Sequence, residues 1–217
     1  MSLEDKLAAM RVAAAARIPA DRQAIMHRAT EDLRKSGILD RITPVGAHAP
    51  DFELANHDGR RVSSAELLAG GPMVLSFFRG SWGPYCRHEL EALQSVYADI
   101  VGLGASLVVI SPELPERTAA MAAQLKLTFP ILWDEQSKVA EAFGLAFTLP
   151  DDLKTVYLGF GNDLAVRNGD PSWRLPVPAR FVIDARGIVR SVQADPDYTY
   201  RPEPETTVDA LRKVVGA

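Results

Sequence analysis

Any covalent chemistry in this chain starts from a thiol, since Cys86 is the single cysteine and lies in the run PMVLSFFRGSWGPYCRHELEAL over residues 72–93. A thiol attacks as its thiolate, so the surroundings of the sulfur decide whether it reacts. Gly83 and Pro84 stand just ahead of it, and apolar residues recur after it at Leu90, Leu93 and Val96. That pattern reads as a helix with Gly83 as N-cap and Pro84, with its fixed φ and missing N–H, at the first helical position. Cys86 then falls in the first turn, where amides without intrahelical partners and the positive end of the dipole favour a negative sulfur. Glu89, one turn on, works against that charge unless a base pairs with it. Arg79 and Arg180 are the candidate bases, for Glu89, for the thiolate or for a bound peroxide. Trp82 reads as a packing wall, and His88, two residues past the cysteine on another helix face, as solvated. An isolated cysteine is often only a small buried apolar side chain; the Gly-Pro turn is what argues for reactivity here.

The elements that must hold these residues follow from periodicity. Residues 74–78 form a β-branched and aromatic strand that stops at Arg79-Gly80-Ser81, and residues 105–110 (ASLVVI) read as a strand buried on both faces. With the helix between them they imply a right-handed βαβ crossover. Upstream, residues 51–56 form a short strand turned by Asp58-Gly59 into a partner at 61–62, and Ser63 or Ser64 caps a short helix. Downstream come a helix over 115–125, a strand over 128–132 and a helix over 135–143. Residues 145–177 lose periodicity among scattered Gly and Pro, and are expected to be a long irregular lid or interface. A hairpin over 179–184 and 188–192 and a helix over 206–215 complete the chain. Ahead of all this, helices are predicted over 3–17 and 19–35. Ile25, Ala29 and Leu33 line the second as a narrow stripe that needs a surface, either the main domain or a second subunit. The expected organisation is a helical extension over residues 1–42 and an α/β domain over 43–217, with a central mixed sheet and helices on both faces.

Composition narrows the partners. At 217 residues and 47% hydrophobic the chain can bury a full core, and its net charge of −4 gives no basic footprint for nucleic acid or an anionic membrane. The acidic start MSLEDKLAAM does not read as a secretory signal, and no run reaches the roughly 20 apolar residues of a membrane span. A cytoplasmic protein is the expectation. One cysteine excludes an internal disulfide, and His27, His48, His57 and His88 lack ligand spacing, so no metal and no cofactor are expected.

With these residues in view, the chain resembles the peroxiredoxin-like branch of the alkyl hydroperoxide reductase / thiol-specific antioxidant (AhpC/TSA) family, which has a thioredoxin-like fold with a peroxiredoxin-type insertion. The resemblance rests on GAHAPDF at 46–52, FRGSWGPYC at 78–86, WRLPVPARFVID at 173–184, and DPDY at 195–198 with Arg201. It implies that Cys86 is the peroxide-reducing cysteine. In that branch a second cysteine usually stands where Gly83 is, and ordinary peroxiredoxins place a proline at Arg79 and a threonine at Gly83. The family's helper arginine aligns with Pro178, where thioredoxins keep a cis-proline, so a cis bond is expected there by resemblance. Arg180, two residues on and on the same strand face, is the substitute. Phe77 stands where thioredoxins bury an aspartate.

The function these residues imply is a one-cysteine thiol peroxidase that reduces hydrogen peroxide or organic hydroperoxides through a Cys86 sulfenic acid. An external thiol, glutathione or a thioredoxin-type protein, would recycle it, and a homodimer is plausible from the helical stripe and the aromatic insertion. The alternatives are a thioredoxin-fold scaffold that has lost catalysis and, weaker because Gly83 replaces the attacking cysteine, a thiol-disulfide oxidoreductase.

Overall fold

The computed structural model describes residues 1–216. Its strands are β1 (Glu53–Asn56), β2 (Arg61–Ser63), β3 (Met73–Phe77), β4 (Ser106–Ser111), β5 (Ile131–Trp133), β6 (Ala146–Thr148), β7 (Arg174–Pro176), β8 (Ala179–Ile183) and β9 (Val189–Ala194). Its helices are α1 (Leu3–Arg17), α2 (Ala20–Lys35), α3 (Ile38–Arg41), α4 (Ser64–Ala69), α5 (Pro84–Ser95), α6 (Tyr97–Gly102), α7 (Pro115–Leu125), α8 (Lys138–Ala142), α9 (Asp151–Gly159), α10 (Leu164–Asn168) and α11 (Pro204–Val215).

Seven strands form one sheet in the order β2-β1-β5-β4-β3-β8-β9, with β6 and β7 paired apart from it. The β3–β4 and β4–β5 pairs are parallel, while β8 runs antiparallel to both β3 and β9. The sheet is therefore mixed and mostly antiparallel, with helices on both faces, which is the predicted α/β class. Strand β3 lies inside the sheet between β4 and β8 with every residue buried, and its side chains alternate between two cores. Leu75 and Phe77 face a cluster with Phe143 and Phe181, where the rings of Phe77 and Phe143 lie 5.2 Å apart. Val74 faces the other core, under α5, with Cys86, Leu90 and Val182. Ser76 pairs in register with Arg180 of β8. Neighbours in register point to the same face, so Arg180 is delivered beneath α5 even though it is 91 residues from Glu89.

Several local expectations are corrected. The strand expected over 128–132 begins only at Ile131, because the Thr128 N–H donates to the side chain of Gln94 at 2.8 Å instead of to a ladder. The helix expected over 135–143 is broken: Gln136 and Ser137 adopt φ of 61° and 56°, and Asp134 caps a later start by accepting the N–H groups of Val139 and Ala140 at 2.8 Å each. Residues 145–177 are not an irregular lid. They fold into α9, α10 and the β6–β7 pair around Leu153, Val156, Tyr157, Leu164, Trp173 and Leu175. Elements of nine, five and three residues are too short to leave a readable period. Ile25 and Ala29 of α2 pack on this small cluster and Leu33 on the main core, so the stripe is satisfied within the chain. The expected cis bond at Pro178 is absent. Every described peptide bond is trans, the ordinary state of an X–Pro bond, and Pro178 lies in the two-residue link between β7 and β8.

Candidate active site

Strand β3 ends at Phe77, after which the chain turns through residues 78–83 and enters α5. Gly80 permits the turn: at φ 146° a Cβ would meet the Trp82 indole Nε1 at 2.5 Å, and the Gly83 N–H donates back to the Gly80 carbonyl at 3.2 Å. Gly83 caps α5 with extended backbone and Pro84 takes the first position, as predicted. Glu113, fully buried just beyond β4, accepts the Ser81 N–H at 2.6 Å and is itself paired with Arg167 at 3.0 Å. This carboxylate clamps the turn. Sequence reading missed it because it belongs to a loop about thirty positions from the turn it serves.

Cys86 lies in the first turn of α5 and is only 2% exposed. The base that reaches it is Arg201, whose Nη2 is 3.4 Å from Sγ. The same guanidinium donates from Nε to Glu89 Oε2 at 2.5 Å, and from Nη1 to the carbonyls of Tyr198 and of Tyr200, the latter at 2.7 Å. Glu89 Oε1 in turn accepts from Arg180 Nη2 at 2.8 Å. Arg180 also donates to Thr207 Oγ1 at 3.0 Å and to the Pro202 carbonyl at 3.2 Å. So Arg180 pairs with Glu89, one of its predicted partners, and among the described residues it makes no bond to the sulfur. Arg201 was visible in the sequence only as part of a family-like stretch; nothing local marks a residue 115 positions away as the sulfur's neighbour.

The electrostatics of this cluster follow from counting charges. Glu89, Arg180 and Arg201 have at most 1% of their side chains exposed, and two guanidinium groups face one carboxylate. Burial opposes the charge of Arg201, but the Glu89 carboxylate and the Cys86 sulfur outweigh it and hold its pKa above the usual arginine value. Burial lowers that of Arg180, against the pull of Glu89. Both stay cationic, because arginine starts far above neutral pH. Glu203, at the N-cap of α11, adds a further negative field that favours the charge of Arg180.

Arg79 is placed differently. It is 3% exposed, its Nη2 donates to Tyr157 Oη at 2.8 Å, and its guanidinium carbon lies 4.5, 5.3 and 5.6 Å from the ring centres of Tyr198, Trp82 and Tyr157. Tyr198 is half-buried beside it, and desolvation raises its pKa and keeps the phenol neutral. Trp82 therefore forms a wall, as expected, with its ring 5.4 Å from that of Tyr157. His88 sits away from the sulfur, beside Glu91 at 3.0 Å.

These groups line a cleft of about 770 Å³ whose floor holds Cys86, Gly83 and Pro84, and whose walls come from α1, α2, α9 and residues 197–200. Helix α1 braces the loop that carries Arg201. Its first amides, Leu3 and Glu4, donate to Glu203 at 3.1 and 2.8 Å, Arg11 donates to the Thr199 carbonyl at 3.1 Å, and Leu3 and Leu7 pack on Tyr85. No group of three or more His, Cys, Asp or Glu side chains able to hold a metal occurs among the described residues.

Residues 45–192 match the AhpC/TSA family. The chain belongs to that family. Peroxiredoxin Q from the chloroplast of Sedum lineare is 30% identical over 183 residues, covering 84% of this chain and 83% of the relative. Among solved structures, the peroxidoxin BcpB of Mycobacterium tuberculosis superposes with a TM-score of 0.62 at 24% identity, covering 78% of this chain and 97% of that one. A yeast mitochondrial 1-Cys peroxiredoxin, described as resolved via glutathione/thioredoxin systems, gives a TM-score of 0.60 at 19% identity over 77% of this chain and 74% of its own. The structural likenesses establish the thioredoxin-like peroxiredoxin fold for this AhpC/TSA protein. Its curated relatives are named peroxiredoxins, which are thiol-dependent peroxidases, and this places the chain among the oxidoreductases of that class.

Proposed function

We propose that this AhpC/TSA protein is a one-cysteine thiol peroxidase. The observation that carries the reading is Arg201 Nη2 at 3.4 Å from Cys86 Sγ, inside a buried cluster where Arg201 and Arg180 both pair with Glu89. The Cys86 thiolate attacks the terminal oxygen of a hydroperoxide. The O–O bond breaks, sulfur takes the oxygen to become a sulfenic acid, and the leaving alkoxide or hydroxide takes up a proton to give alcohol or water. Arg201 and the first-turn amides of α5 stabilise the charge at the sulfur and at the oxygen it attacks. Arg180 acts one step removed, holding Glu89 so that Glu89 can hold Arg201.

With one cysteine in the chain, recycling takes an external thiol. A first thiol displaces water from the sulfenic acid to form a mixed disulfide, and a second releases Cys86 and leaves as the oxidised pair. Glutathione and a thioredoxin-type protein are the proposed donors, in a cytoplasmic setting. Dimerisation is proposed through the insertion, where Leu158, Phe160 and Val166 are exposed; a monomer in sedimentation at micromolar concentration removes that part.

The test of the central claim is hydroperoxide consumption in the presence of thiol. Replacing Cys86→Ser abolishes it, and a dimedone-type trap labels Cys86 of the wild type after one equivalent of peroxide. Equal consumption by the variant, or no trapped adduct in the wild type, overturns the reading.

A further inference from the structure

The cluster under Cys86 accounts for Arg180 and Arg201 but leaves Arg79 without a purpose in the chemistry. Burying a guanidinium is costly unless it is paired, and a buried cation ordinarily has a carboxylate beside it. Arg79, 3% exposed, has no carboxylate within 4.0 Å among the described residues, and its Nε is buried without any acceptor. Its only hydrogen bond there is the one from Nη2 to Tyr157 Oη. Three aromatic faces hold the guanidinium in place, which supports a cation without neutralising it. The group borders the cleft that holds Cys86 and also a second cleft, of about 470 Å³, beside α2 and β6.

From this we infer that Arg79 is a carboxylate-binding subsite beside the thiol, and that the cleft is built for ligands with an apolar body and one carboxylate. A planar guanidinium matches a carboxylate geometrically, and a single uncompensated cation is balanced by a monoanion. The apolar body is implied by the rest of the cleft near the sulfur, where Met10, Ala14, Ile18, Met26, Trp82 and Phe160 line the walls. Its volume suits a molecule of up to about drug or tripeptide size. Two sources share this chemistry: a hydroperoxide that carries a carboxylate, and an acidic low-molecular-weight thiol that arrives to reduce the sulfenic acid. Assigning either source rests on the thiol peroxidase reading; the subsite itself does not.

Binding is therefore tested apart from turnover. The full chain carrying Cys86→Ser is titrated by calorimetry with octanoate and with the neutral octanamide. Octanoate is expected to bind at least about tenfold more tightly, with Arg79→Met erasing the difference and Arg79→Lys keeping part of it. Equal affinity for acid and amide, absence of binding by both, or a preference that survives Arg79→Met overturns the subsite. Should Arg79→Met fail to fold, Arg79→Lys decides, and an acid-to-amide ratio unchanged from that of the Arg79 protein overturns the subsite. Stopped-flow measurements on the Cys86 protein then separate the sources, comparing a hydroperoxy fatty acid with its methyl ester in the oxidation step and 3-mercaptopropionate with its methyl ester in the reduction step. A preference for the acid in one step names the source. Equal rates for acid and ester in both steps overturn the assignment of the subsite to the reaction.

Discussion

The floor and the wall of the cleft each hold buried arginine, and they treat its charge in opposite ways. On the floor, Arg201 and Arg180 close around Glu89, with the main-chain carbonyls of Tyr198, Tyr200 and Pro202 taking up further donors. On the wall, Arg79 meets rings and a phenol. A cation tied to its neighbours at this many points is fixed in place and has little left to offer a ligand beyond the one donor aimed at the sulfur. A cation held mainly by π faces is oriented but not neutralised. The floor thus sets the state of the protein's own thiol, while the wall is equipped to sort what approaches it.

The sharpest way to break this contrast is to remove the floor's carboxylate. Glu89→Gln leaves two buried guanidinium groups facing a neutral amide and is expected to cost about 3–5 kcal/mol of stability, read as a lower urea midpoint at unchanged m-value. A loss under about 1 kcal/mol would show that the floor is not a tight ion-pair network. Next in size, Arg201→Met removes the donor at Sγ; at pH 7, alkylation of Cys86 by iodoacetamide and its oxidation by peroxide are both expected to slow about tenfold or more. If alkylation slows and peroxide oxidation does not, Arg201 serves the thiolate but not the transition state. On the wall, Arg79→Met breaks no ion pair and gives up only ring contacts and one hydrogen bond, so unfolding should stay within about 1 kcal/mol of wild type. A penalty comparable to that of Glu89→Gln erases the distinction between the two regions. The smallest effect is expected from Tyr157→Phe, which frees Arg79 Nη2 while keeping the ring: octanoate affinity should change by about threefold or less, with stability nearly unchanged.

How much of this was legible beforehand depends on how local each feature is. The strand-turn-helix around Cys86, the Gly83 cap and Pro84 are short-range and were readable from residue types and spacing, whereas the bases that pair with Glu89 lie 91 and 112 residues away. Arg180 was readable in part, since strand alternation puts it on a defined face. Arg201 and Glu113 were not, because each reaches the site from a loop far away in sequence, and loop positions carry no period. The structured insertion escaped for a related reason: its helices are stabilised by α2 lying across them, not by an amphipathic stripe of their own long enough to detect. Arg79 was noticed as a charge next to the turn, but its lack of a partner only exists once Tyr157 and Tyr198 have closed around it.

Gly83 bears on how far this site is from a different kind of redox protein. A Cβ built there would lie 3.1 Å from Cys86 Sγ, so a thiol carried on that carbon would be within bonding reach of the sulfur. The backbone that a two-cysteine turn requires is therefore already in place, and the choice between borrowing electrons from outside and storing a pair of them internally hangs on one side chain. Gly83→Cys is expected to turn the sulfenic acid into an internal disulfide, with loss of both free thiols after one equivalent of peroxide.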